Sequence, residues 1–256
     1  MEWLIAAKPV VFLHAFPFSP EMWSLQVAAL EGRYSVFAPA MPGLGGREPG
    51  PASLDAWAAE LDERLEEVGI DEAVFVGLSM GGYLAFRLWD LFPDRFAGLV
   101  LADTRAEADD EAGLARRAEL AAAVREKGAG VLLESFYPSV LGETTRTSQD
   151  EERRAAADWV REMILEADPE GIARALEAMA GRPDSRPLLP EIEVPTLVIV
   201  GEEDTLTPPE QAREMAAAIP EAELLIIGGA GHMANIENPG AFNTALLGFV
   251  EKVYGG

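Results

Sequence analysis

Ser79 lies in Gly77-Leu78-Ser79-Met80-Gly81, a G-x-S-x-G run followed by a second glycine, Gly82. A serine hydroxyl is a weak nucleophile at neutral pH, and acyl chemistry becomes accessible to it only beside a base and a set of oxyanion donors. Residues 73–76 form a short apolar, β-rich run, the pattern of a strand buried on both faces of a parallel sheet. From Met80 to Phe92 the apolar residues recur at helical spacing, so the serine falls in a sharp strand-to-helix turn, the context this motif requires. The glycines let neighbouring backbone pass close to the serine, and the helix that follows aims free N–H groups and its positive end at an oxyanion. An idle serine in a tight turn is the competing reading; the strand before it and the helix after it weigh against that.

Two histidines are available as the base, His14 and His232. His232 lies in Gly228-Gly229-Ala230-Gly231-His232-Met233, a flexible run after the last strand that can bring an imidazole over the sheet edge. His14 follows the first strand directly and is tied to Phe16-Pro17, which suits a side chain bracing a loop whose backbone N–H groups face Ser79. An imidazole base needs a carboxylate to fix its tautomer. Asp204, in G-E-E-D-T-L-T-P-P, and Asp103, in L-A-D-T-R, both follow strand-like runs. The order Ser79, Asp204, His232 is the one expected of serine hydrolases built on such a sheet. Asp204 also precedes a Thr-Pro-Pro helix start and could be a turn-capping aspartate, which leaves Asp103 as the alternative. With a histidine base, activity should fall in acid, where a protonated imidazole cannot accept the serine proton.

These residues need a frame to hold them. Buried strands are expected over residues 9–13, 34–38, 73–76, 96–102, 196–200 and 223–227, with a possible edge strand over 1–7. Helices are expected over 20–30, opened by Ser19 with Pro20 in the first turn, and over 54–68, capped by Ser53. Others follow over 80–92, 208–219 and 239–253. Between Asp103 and Pro195 strand-like runs vanish and helical stretches succeed one another at 114–127, 150–167 and 169–180. The expected organisation is therefore a core of residues 1–105 and 191–256 with a helical insertion over 106–190. The insertion leaves from the carboxyl end of one strand and returns before the next, so it should cover the sheet edge where ligands bind in open α/β folds.

The chain has 256 residues, enough for one domain with an insertion, and its 20 basic and 44 acidic residues give a net charge of -24. Such a surface repels phosphate backbones and anionic lipid, so neither nucleic acid nor a membrane is an expected partner. There are no cysteines, which excludes disulfides and thiolate metal sites. No leader-like segment opens the chain and no apolar run approaches the roughly 20 residues of a membrane span, so a cytoplasmic location is expected.

Four segments, G-L-S-M-G-G, H-A-F-P, G-E-E-D-T-L-T-P-P and G-A-G-H-M-A-N-I-E-N-P, occur in the order and at the separations of the α/β-hydrolase fold family, which the chain resembles across nearly its whole length. The resemblance implies an α/β fold with a mostly parallel sheet, the insertion as a helical cap, Ser79 as nucleophile, His232 as base and then acid, and Asp204 as orienting acid. It also implies the N–H groups of Phe16 and Met80 as oxyanion hole. Two departures stand out. The family commonly has two further strands before the H-G-x-P strand, so the first edge of the sheet should be truncated. Met41 also occupies a position where an aspartate is usual.

A serine, not an aspartate, at the elbow disfavours alkyl-enzyme chemistry and favours acyl transfer to water, which needs no metal or organic cofactor. Within the family, G-L-S-M-G-G-Y and A-D-T-R-A-E-A-D look similar to small carboxylesterases and to 3-oxoadipate enol-lactonase-like hydrolases. A carboxylesterase with an apolar pocket is the first expectation. A lactonase, which would need a cation such as Arg105 near the motifs, and a ligand-binding relative with little turnover are the alternatives. Phe136, Tyr137, Trp159, Met163 and Met233 are the expected substrate-binding residues, the cap members among them forming an apolar, water-excluding wall. The expected partner is a small ester or lactone, with the protein a monomer or homodimer.

Overall fold

The computed structural model describes residues 8–255. The expected strand over residues 1–7 lies outside the described residues. Six strands form one sheet: β1 (Pro9–Leu13), β2 (Ser35–Phe37), β3 (Ala73–Leu78), β4 (Phe96–Ala102), β5 (Thr196–Gly201) and β6 (Glu223–Ile227). Their order across the sheet is β2-β1-β3-β4-β5-β6 and all neighbours are parallel. Every residue of β3 and β5 is buried, as expected of parallel strands covered by helices on both faces, and this is why they read as unbroken apolar runs.

The core helices are α1 (Ser24–Leu30), α2 (Leu54–Glu67) and α3 (Met80–Leu91). Crossover connections are right-handed. The step from β1 through α1 to β2 runs one way along the sheet, whereas the steps through α2 and α3 run the other way, so α1 lies on one face and α2 and α3 on the opposite one. The reversal makes a topological switch between β1 and β3, and the crevice beyond their carboxyl ends is where a ligand binds in such sheets. Ser79 follows β3 and Phe16 follows β1, so both lie at this crevice.

The single helix expected over 20–30 is instead a tight 3-10 turn, Pro20–Trp23, followed by α1. The tighter turn allows the adjacent Met22 and Trp23 both to be buried. Met22 Sδ accepts the Ala15 N–H at 3.2 Å, and the Trp23 ring packs 4.9 Å from that of Phe12.

Between β4 and β5 come α4 (Glu111–Lys127), α5 (Leu132–Ser135), α6 (Tyr137–Val140), α7 (Glu143–Thr147), α8 (Glu151–Glu166) and α9 (Pro169–Ala180). Three of these helices start on an aspartate cap: Asp110 accepts the Gly113 N–H at 2.7 Å, Asp150 the Glu152 N–H at 3.0 Å and Asp168 the Gly171 N–H at 2.8 Å. The chain closes with α10 (Pro209–Ala218), α11 (Ala234–Glu237) and α12 (Pro239–Gly255), the last packed against α1. Among the described residues no helix is long and apolar enough to cross a membrane.

Candidate active site

Ser79 has φ +55° and ψ -113°, a backbone conformation that side-chain-bearing residues rarely adopt. The turn is pinned on both sides: the Ser79 N–H donates to Ala102 O at 3.0 Å, and its carbonyl accepts from the Thr104 hydroxyl at 2.8 Å. The glycines around it are required by contact. A Cβ on Gly81 would lie 2.0 Å from Leu13 O, and one on Gly82 2.5 Å from the Thr104 hydroxyl oxygen, so α3 can start this close to β1 and β4 only without side chains there. The Met80 N–H heads α3, where no preceding turn supplies an acceptor.

His232 and Asp204 meet across the ends of β5 and β6. His232 Nδ1 lies 2.8 Å from Asp204 Oδ2, and both side chains are almost completely buried. The two oxygens of Asp204 face different partners. Oδ1 accepts the N–H groups of Leu206 and Thr207 at 2.8 and 3.0 Å, which caps the turn into α10. Oδ2 faces His232 and accepts the Thr207 hydroxyl at 2.6 Å. Burial alone would push this carboxyl up, but the imidazole beside it and the donors from His232 and Thr207 hold it below the usual range.

Asp103 has no bond to the imidazole. Its Oδ1 accepts the Gly201 N–H at 2.7 Å, while Oδ2 is buried with no partner among the described residues. Burial, and then the neighbouring Asp204 and Glu237 carboxylates, push its pKa well up, against the backbone N–H groups of Gly201 and Ala234, which act the other way.

His14 is fully buried and braces two loops. Its Nε2 accepts the Met41 N–H at 3.0 Å, which leaves the proton on Nδ1 to donate to Ala15 O at 3.1 Å. Met41 therefore takes part in holding the loop through its backbone. Burial lowers the His14 pKa from 6.5 to about 4 despite the bond to Ala15. A folded-state pKa below the unfolded one means that the unfolded chain binds the proton first. Stability should accordingly be intact above pH 6.5 and fall as pH drops from 6.5 towards about 4, with a loss of up to about 3 kcal/mol. Chemical unfolding at stepped pH checks this: His14→Asn, although less stable at neutral pH, should show a flatter slope across that interval than the parent.

Ser79, His232, Phe16 and Phe136 line one cavity of about 250 Å³, together with Tyr83, Leu120, Leu176, Met179, Leu206 and Thr207. The Phe136 ring stands edge-on to that of Phe16 at 5.4 Å. The other expected substrate-binding residues do not line this cavity. The Tyr137 hydroxyl donates to Ala157 O at 3.1 Å beside a surface cleft of the insertion. Trp159 borders a separate groove with Ile236 and Pro239, Met163 is packed away beside a crevice near Phe18, and Met233 is fully buried. The physical reason is the docking of the insertion. α8 buries the stripe Val160, Met163 and Ile164 against neighbouring helices, whereas the paired α4 and α9 cover the sheet edge and supply the wall. The spacing within α4 and α9 carried no sign of this, because which helices pair is a tertiary matter.

Arg105, Asp109 and Arg117 also line the cavity, and only Arg105 had been noted, as the cation a lactonase would need. The sequence did hold a signal for the pair Arg105 and Asp109, which stand four residues apart just past a strand end.

A parallel sheet with helices on both faces and a serine elbow at its switch point defines a hydrolase of the α/β class. The chain belongs to the alpha/beta hydrolase fold family, whose model matches residues 8–239. The 3-oxoadipate enol-lactonase 2 of Acinetobacter baylyi is 28% identical over 250 residues, covering 95% of this chain and 88% of that one. Among solved structures, a thermophilic esterase from Thermogutta terrifontis, with malate bound, is 37% identical with a TM-score of 0.92, covering 96% of this chain and 90% of that one. The enol-lactonase of Burkholderia xenovorans is 28% identical with a TM-score of 0.86, covering 95% and 91%.

Proposed function

We propose that the protein hydrolyses small carboxylic esters through an acyl-enzyme on Ser79. The observation that carries this is the shared cavity: Ser79 and His232 line it together, and His232 is backed by Asp204 at 2.8 Å. His232 Nε2 takes the Ser79 hydroxyl proton as Oγ attacks the ester carbonyl carbon. The carbonyl oxygen becomes an oxyanion held by the N–H groups of Phe16 and Met80. As the tetrahedral species collapses, His232 returns the proton to the leaving alkoxide and the acyl group stays on Ser79. Water, deprotonated by His232, attacks the acyl carbon, and Oγ leaves with the proton, releasing the acid. Asp204 keeps the Nδ1 proton in place throughout.

The second reading is a lactone substrate, favoured by the enol-lactonase names of two relatives. The steps are the same, with the leaving oxygen tethered to the acyl group. Covalent labelling by a fluorophosphonate, mapped by mass spectrometry, tests the mechanism, and a panel of p-nitrophenyl esters beside a set of lactones separates the two readings. Label absent from Ser79, or no turnover of any ester or lactone, would sink the proposal.

Phe136 lines the cavity beside Phe16. Trimming it to alanine should move the acyl-length optimum upwards and change the ratio of kcat/KM for adjacent ester lengths by about tenfold. The same trimming of Trp159 should leave the length profile as it is, because that side chain borders a different groove.

A further inference from the structure

We propose that Arg105 and Arg117 bind an anionic group of the substrate, so that the ester or lactone cleaved at Ser79 also carries a carboxylate. This rests on the reading of Ser79 as the nucleophile and goes beyond it to the class of molecule accepted.

The starting point is an excess of guanidinium groups around one carboxylate. The Asp109 side chain is 1% exposed and receives Arg105 Nη2 at 2.5 Å, Arg182 Nη1 and Nη2 at 2.9 and 3.0 Å, and Arg117 Nε. Burial pushes this carboxyl up, but the bonds from Arg182 and Arg117 outweigh it and hold it well below the usual range. Arg182 alone satisfies Asp109. It grips both oxygens, donates also to Glu107 O and Met179 O, and stacks 4.2 Å over the Tyr83 ring. Two further cations are not needed to hold this corner together.

Those two are the ones that face the cavity, whereas Arg182 does not line it. Each retains donors without an oxygen to receive them. Arg105 Nε is buried with no hydrogen-bond partner among the described residues, although the Tyr83 hydroxyl stands close enough to this guanidinium to favour its charged form. Arg117 Nη1 meets only the thioether of Met179, at 3.4 Å, a weak acceptor. The Glu107 carboxylate is close enough to favour the charged form of Arg105 but does not line the cavity, and even with it counted the cluster keeps a net positive charge. Arg116, at the rim and mostly exposed, adds another cation 4.0 Å from Asp110. In a chain with a net charge of -24, three arginines, Arg105, Arg116 and Arg117, line the cavity that holds Ser79.

A guanidinium with free, partly desolvated N–H groups is matched by a carboxylate. The same cavity is also lined by the apolar side chains of Leu120, Phe136, Leu176 and Met179. The fitting substrate is therefore small, with a hydrocarbon spacer between the bond that is cleaved and a terminal anion.

Matched pairs of substrates test this. One series compares monomethyl esters of straight-chain dicarboxylic acids with their dimethyl esters, placing the anion on the acyl side. A second compares O-acetyl hydroxy acids with the corresponding amides, placing it on the alcohol side. In at least one series the anion should be preferred by tenfold or more in kcat/KM. Arg105→Met and Arg117→Met should each remove most of that preference through KM, while turnover of the neutral partner reports that the variant is folded. Equal turnover of anionic and neutral partners in both series, or a preference that survives both substitutions, overturns the proposal. Glutarate binding by calorimetry interrogates the same wall without catalysis: the parent should bind it at least tenfold more tightly than either variant. Absence of that difference overturns the anion site even if esters are hydrolysed. Its presence without any ester hydrolysis would uphold the site and sink the acyl-enzyme reading.

Discussion

Ser79→Ala and His232→Ala should each lower kcat for a p-nitrophenyl ester by about ten-thousand-fold or more, a barrier increase of about 5 kcal/mol. In the proposed mechanism the two side chains act as one proton-transfer unit, so the loss of either should leave the other inert and the double variant should be hardly worse than the singles. The fold should survive Ser79→Ala. What holds the turn is the backbone, through Ala102 O and the Thr104 hydroxyl, and the close passage of Gly81 and Gly82, none of which involves Oγ. Thermal unfolding beside the rate measurement separates the two effects. A rate within about tenfold of the parent in either variant would remove Ser79 or His232 from the chemistry.

Asp204→Asn should cost about a thousandfold to ten-thousandfold, whereas Asp103→Asn should keep activity within about threefold. An asparagine at 204 can still cap the turn, because its carbonyl oxygen can accept from Leu206 and Thr207 as Oδ1 does now. Its amide, however, would present N–H to His232 Nδ1 where a carboxylate oxygen now stands. The imidazole would then keep its proton on Nε2, the nitrogen that has to accept from serine. Asp103 differs in every respect. Burial and its carboxylate neighbours push its pKa well up, it bonds Gly201 and not the imidazole, and its φ of +43° is one that asparagine tolerates well. If the two variants changed places, the acid of the site would be the one after β4.

The strands after which Ser79 and Asp204 lie were legible because parallel strands covered on both faces leave unbroken apolar runs, which residues 73–76, 96–102 and 196–200 all show. The elbow was legible for a local reason too, since its glycines answer contacts within a few residues or with the adjacent strands. The cavity wall was not. Arg105, Asp109, Arg117 and Arg182 converge from the loop after β4, from α4 and from the end of α9, and no spacing encodes that convergence. Trp159 and Met163 share a helix face by their separation of four, as expected, yet the helix that carries them docks away from Ser79. Periodicity tells which residues of a helix travel together, and the partner helix decides where they go.

The Glu237 side chain joins the insertion to the loop that carries His232. Its carboxylate accepts the N–H of Gly142 at 2.8 Å, of Gly231 at 2.9 Å and of Met233 at 3.2 Å, and the His232 N–H donates to Val140 O at 3.0 Å. Gly142 and Gly231 touch so closely that a Cβ on Gly231 would lie 2.2 Å from Gly142 N. Two segments almost ninety positions apart are thus sewn into one seam. The amides of Gly142, Gly231, His232 and Met233 should exchange with solvent deuterium as a single cooperative unit, and any opening of the insertion that preserves the imidazole's position has to leave this seam intact.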